Sequence, residues 1–161
     1  MLFRSPHLGA STDEAQERAG IAVAVSVRKA LAGDLVPDAV NVKGGAVHEE
    51  IRPSLPLVEK MAEIATAYAG GLPSSMEVHV LGEIAAYDAA VLATSALKGA
   101  IETTVEEDVT YVNAPKLAEE RGMSATVKND PNCEQFRSSI QLKVAMANGT
   151  DRKSTRLNSS H

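Results

Sequence analysis

Between Leu35 and Pro56 the chain carries Pro37, Gly44-Gly45, Pro53 and Pro56 and shows no apolar period. Proline fixes φ and withholds a backbone donor, and paired glycines lose the most freedom on being held, so no helix or strand is expected to run through this stretch. The chain is thereby divided into a short unit at 1–42 and a larger one at 45–150.

Each unit has its own patterning. Ser11-Thr-Asp-Glu14 reads as a capping box, in which the Ser11 hydroxyl accepts from a backbone N–H and Glu14 reaches back. Apolar residues then recur at Ala15, Ala19, Ala22, Val23, Val27, Ala30 and Leu31, which predicts a helix over 12–32 ending at Gly33. Ile21 and Val25 widen its apolar face, so more than one side needs cover. In the larger unit, Leu57, Val58, Met61, Ile64, Ala65 and Tyr68 mark a second helix that stops at Gly70-Gly71. Val78 and Val80 alternate within a strand over 76–81, and an alanine-rich helix is expected from Tyr87 to about Ile101. Thr110-Tyr-Val112 reads as extended. Asn113 caps a short helix with Pro115 in its first turn and Gly122 as its stop. Ser124–Lys128 and Ser138–Ala147 read as strands on either side of the turn-rich Asn129-Asp-Pro-Asn132. The 45–150 unit is thus expected to be a small α/β domain.

Composition limits what such a fold can do. Aromatics are 3% with no Trp, so the core must be aliphatic. The net charge of -5 argues against nucleic acid as a partner. No apolar run approaches the ~18 residues that cross a bilayer, so no membrane role is expected. Cys133 is the one cysteine, which excludes a disulfide framework and a thiolate metal site and suits a cytoplasmic protein. His48 and His79 have no clustered ligands in sequence, and no metal is expected. Glu106-Glu-Asp108 reads as a solvated charge run. Lys98, Lys128, Arg137 and Lys143 could gather into an anion site, with an ordinary set of solvated charges as the plainer alternative.

The last stretch, 151–161, breaks character: Asp151-Arg-Lys-Ser-Thr-Arg-Leu-Asn-Ser-Ser-His161 has no period and a single large apolar residue. It resembles a translated sequencing adapter. The expectation is a non-native, disordered tail, with the natural protein continuing past Thr150 and Met1 an internal start or a cut end.

One motif carries chemistry. In Ser5-Pro-His-Leu-Gly-Ala-Ser11, Pro6 fixes the backbone before His7 and Gly9 permits close approach of a ligand. The helix start that follows favours anions and pushes a nearby imidazole towards neutrality, so a general-acid His7 would need a carboxylate from elsewhere. Taken alone, a histidine before a helix serves structure more often than catalysis.

Ser5-Pro-His-Leu-Gly-Ala-Ser-Thr12, with Glu14-Ala-Gln16 and Val36-Pro-Asp-Ala-Val-Asn-Val42, resembles the D-isomer-specific 2-hydroxyacid dehydrogenases. Tyr111-Val-Asn-Ala-Pro115 and Leu117-Ala-Glu-Glu-Arg-Gly122 resemble the intervening, allosteric-substrate-binding domain of that family's long bacterial type. The resemblance implies the truncated end of a Rossmann-type dehydrogenase region at 1–42, followed by a small regulatory α/β domain at 45–150. It implies NAD as cofactor, with His7 as acid/base and His7, Leu8, Gly9 and Ala10 forming the loop against the nicotinamide. The implied substrate is a phosphorylated 2-hydroxy acid, 3-phospho-D-glycerate, oxidised to 3-phosphohydroxypyruvate on the way to L-serine. The intact enzyme would be a homo-oligomer. The family's partner Glu, its substrate Arg and its G-x-G-x-x-G turn have no counterpart in this sequence, so the chain by itself is expected to be inactive. The alternatives are a non-catalytic effector-binding domain and a dehydrogenase for another 2-hydroxy acid.

Overall fold

The computed structural model describes residues 12–32, 34–36, 47–134 and 136–147, and the backbone of 155–157. It is a mixed α/β structure. Helix α1 (Asp13–Leu31) comes first, and the elements after the connector are α2 (Ser54–Ala69), β1 (Ser75–Gly82), α3 (Val91–Glu102), α4 (Ala114–Glu120), β2 (Ser124–Asp130), β3 (Ser138–Ala145) and β4 (Thr155–Leu157). The strands form one sheet in the order β2-β1-β3-β4. β1 runs parallel to β2, with Val78 opposite Val127, and antiparallel to β3, with Val78 opposite Leu142. A parallel pair needs a long crossover, and α3 and α4 supply it.

The sheet is two-faced because side chains alternate along a strand. Met76, Val78 and Val80 of β1 and Ile140 and Leu142 of β3 are buried against Val58, Met61 and Ala62 of α2 and Leu92, Ala96, Ala100 and Ile101 of α3. The intervening positions, Glu77 and His79 among them, face the other way. Helices α2 and α3 approach so closely that a Cβ on Gly99 would lie 2.7 Å from the Glu59 carbonyl carbon and 2.8 Å from its Cα. Glycine there is what lets the two helices touch backbone to backbone. At the end of α2, Gly70 takes φ 74°, the left-handed cap that the Gly-Gly stop signalled.

Several boundaries differ from those expected. The side-chain cap of α1 is Thr12, whose Oγ1 accepts from the Ala15 amide at 3.2 Å, rather than Ser11; Ser11 and Gly33 lie outside the described residues. Helix α2 begins at Ser54, because Pro53 and Pro56 both fit its first turn, where an amide donor is not needed. The alanine-rich helix starts only at Val91. Before it come a 3₁₀ turn at Glu83–Ala86 and a turn in which Asp88 Oδ1 accepts from the Ala90 amide. Thr110–Val112 is not a strand: Tyr111 turns its ring into the core. Asn113 occupies the cap position of α4 but does not cap it; its Oδ1 accepts from the Thr110 amide at 2.6 Å and its Nδ2 donates to the Asp108 carbonyl. Within the stretch expected to be a structureless tail, the backbone of Thr155–Leu157 pairs antiparallel with β3 over Ile140–Leu142. The open edge of β3 offers a row of unpaired backbone groups, and even a sequence of poor strand character can use them.

Helix α1 stands apart in one respect: none of its residues is buried. Ile21, Val23 and Leu31 are 58%, 63% and 84% exposed, and Val25 and Val27 are exposed as well.

Candidate functional site

His7, Leu8, Gly9 and Ala10, the residues expected to carry catalysis and meet the cofactor, lie outside the described residues. Among the described ones, charged and aromatic groups gather in three places.

The first is the uncovered sheet face. Glu77 on β1 stands opposite Lys143 on β3, and His79, two residues on, stands opposite Lys128 on β2. The Glu77 carboxylate accepts from His79 Nε2, meets Lys128 Nζ at 2.5 Å and has Lys143 Nζ at 3.7 Å. The hydrogen bond from His79, then that from Lys128, pulls the Glu77 carboxyl down to about 2. Period-2 spacing along β1 puts Glu77 and His79 on one face, and the two lysines come from strands far along the chain.

The second is a bridge between helices. Glu59 on α2 accepts from the Tyr111 hydroxyl through one oxygen and from Lys98 Nζ on α3 at 3.1 Å through the other. Lys98 also reaches Glu102 at 3.2 Å and lies 5.8 Å from the Tyr111 ring centre. Burial, reinforced by the Glu59 carboxylate, raises the Tyr111 phenol above its ordinary range. For Lys98, burial opposes the charge, but the two carboxylates outweigh it and its pKa rises. Both groups are held in their ordinary protonation states, which suits a structural tie between α2, α3 and the start of α4 better than proton transfer.

The third is a cavity of about 390 Å³ beside the start of α2. Ile84, Tyr87, Phe136 and Ile140 give it apolar walls, and Glu50, Glu83, Arg137 and serines 54, 138 and 139 give it polar ones. His48 stacks on Tyr87 with ring centres 4.0 Å apart. Arg137 Nε donates to Glu83 Oε2 at 2.7 Å, and this bond raises the guanidinium pKa further.

The four cations considered for an anion site do not assemble into one. Lys98 is tied to Glu59 and Glu102, Lys128 and Lys143 flank Glu77, and Arg137 is taken by Glu83. Each carboxylate that meets a cation cancels the field an anion would need. Glu107 pairs with Arg121 at 3.5 Å, so the acidic run is not wholly free in solvent. Cys133 is a free thiol, partly exposed. No group of three His, Cys, Asp or Glu able to hold a metal ion occurs among the described residues. No helix among them is long and apolar enough to cross a membrane.

Comparison with known proteins points in one direction. The family model of the D-3-phosphoglycerate dehydrogenase intervening domain matches residues 50–159. D-3-phosphoglycerate dehydrogenase of Mycobacterium leprae is 50% identical over 146 residues, covering 91% of this chain and 28% of that protein. The enzyme of that name from Mycobacterium tuberculosis is 49% identical with the same coverage, and that from Synechocystis is 36% identical over 146 residues, covering 89% of the chain and 26% of the protein. The chain therefore spans little more than a quarter of the length of these relatives.

Proposed function

The chain belongs to the D-3-phosphoglycerate dehydrogenase intervening-domain family, and from that premise we propose that it is a segment of an NAD-dependent enzyme oxidising 3-phospho-D-glycerate to 3-phosphohydroxypyruvate in L-serine biosynthesis. In this reading His7 exchanges the proton of the substrate hydroxyl while the nicotinamide takes hydride from the same carbon. His7, Leu8, Gly9 and Ala10 lie against that ring, and the unit at 45–150 regulates and helps to assemble a cytoplasmic homo-oligomer.

The observation that supports the reading most is helix α1. A helix that is apolar on several sides yet buries no residue is one whose packing partners are supplied by other parts of a protein. The relatives have nearly three quarters of their length outside the matched span, enough to supply them. A lone acid/base cannot replace the cofactor site and the carboxylate anchor, so the 161-residue chain has no dehydrogenase activity.

The test is direct. Purified chain mixed with NAD and 3-phosphoglycerate yields no NADH. The enzyme completed with the upstream portion of the Mycobacterium leprae relative does, and in it His7→Gln lowers kcat about 10²–10⁴-fold, the usual worth of a general acid/base. NADH formation by the chain alone, or an unaffected His7→Gln enzyme, contradicts the reading.

A further inference from the structure

We propose that the cavity beside the start of α2 is a binding site for a small organic cation, a primary ammonium carried on a flat apolar body. The inference follows from which of its polar groups are already spent. Arg137 is committed to Glu83, and Ser138 Oγ accepts from the Ile84 amide at 3.3 Å. The first amides of α2 are spent as well: Ser54 N–H donates to the Ile51 carbonyl and Leu55 N–H to that of Arg52, while Pro56 has none to give. The helix start therefore offers no cradle for an anion.

What remains unspent is a set of acceptors. The Glu50 carboxylate lines the cavity and makes no ion pair within 4.0 Å among the described residues, though its charge acts on Arg137. Ser54 and Ser139 also line it. They are more than nine-tenths buried, with 8% and 3% exposure, and neither hydroxyl has a hydrogen-bond partner among the described residues. Neither hydroxyl oxygen is sealed from solvent, so a ligand donor can reach both. The charged lining is two carboxylates against one guanidinium, so an excess negative charge is left for a ligand to meet.

An ammonium group fits this inventory: it carries three N–H donors, no acceptor and a positive charge. The Tyr87 and Phe136 rings suit a flat apolar body, and aromatic faces attract a cation. His48, stacked on Tyr87, holds that wall in place. A volume of about 390 Å³ lies within the range of small-molecule sites. The site is separate from the dehydrogenase chemistry, whose substrate is an anion, so its failure would leave that reading untouched.

The probe is benzylamine, titrated into the full 161-residue chain by calorimetry and NMR, beside benzyl alcohol as the neutral analogue and inorganic phosphate as the anion. Benzylamine is expected to bind at least about tenfold more tightly than benzyl alcohol, and phosphate not at all. Glu50→Gln, at an exposed position that the fold does not depend on, weakens benzylamine about tenfold. Arg137→Ala frees Glu83 and tightens it. Equal binding of benzyl alcohol would reduce the cavity to an apolar cleft. Phosphate binding that Arg137→Ala abolishes would make it an anion site. No benzylamine binding at millimolar concentration would overturn the proposal outright.

Discussion

Helices α1 and α3 are both rich in alanine and branched aliphatic residues, yet of α1's 19 residues none is buried and of α3's 12 residues nine are. Their ends differ in the opposite sense. α1 has a threonine cap, Asp13 and Glu14 in its first turn and Arg28 and Lys29 in its last, so its end groups are satisfied locally and its dipole is matched. α3 has no side-chain cap and no complementary charge at either end. One helix is specified by its own sequence and waits for neighbours. The other is poorly specified by itself and is fixed by α2, α4 and the sheet. Apolar content alone therefore says that a helix will be covered, but not by what.

The contrast can be broken by mutation. Leu92→Ala, which empties a fully buried position in α3, is expected to cost about 2–5 kcal/mol in urea unfolding. Val23→Ala, an equivalent trimming in α1, should stay within about 0.5 kcal/mol. A large loss from Val23→Ala would mean that α1 is packed after all.

Gly99→Ala sharpens the same point from the packing side. Its new methyl meets the Glu59 backbone, which cannot swing aside as a side chain can, and the expected cost is about 1–3 kcal/mol. Gly20 in α1 has nothing within 4 Å of the equivalent position, so Gly20→Ala should instead be neutral or raise helicity by circular dichroism.

The smallest effect concerns the uncovered face. The folded Glu77 carboxyl is held at about 2 against an ordinary 4.5, so its contribution is present above pH 4.5 and disappears as pH falls towards 2. Solvent reaches the cluster, which limits the gain to under about 1 kcal/mol. Glu77→Gln should flatten that part of the stability–pH curve and leave the neutral region almost unchanged. An unaltered acid limb would show that the cluster contributes nothing.

Much of the larger unit was legible in the sequence, because β1 alternates cleanly, α2 ends at a glycine pair and β2 and β3 are bounded by turn residues. The start of α3 was not. Its apolar period begins at Tyr87, but the Asp88 side chain claims the Ala90 amide and delays the helix. Thr110-Tyr-Val112 favours a strand by composition, whereas a buried ring bonded to Glu59 is a tertiary fact that composition does not carry. The anion site failed for a related reason. Cations are visible in a sequence, but the carboxylates that neutralise them stand as far off as Glu83 does from Arg137 and Glu59 from Lys98. The unspent acceptors of the cavity follow only from knowing which bonds its other groups have made.

The central claim is that this chain holds one packed α/β unit and one helix awaiting partners from the rest of a dehydrogenase. Amide hydrogen exchange on the dilute 161-residue chain tests it most directly. The account predicts strong protection in α2, α3, β1 and β3 and fast exchange along α1, with protection of α1 appearing only in the completed enzyme. Protection of α1 equal to that of α3 in the chain alone would contradict it.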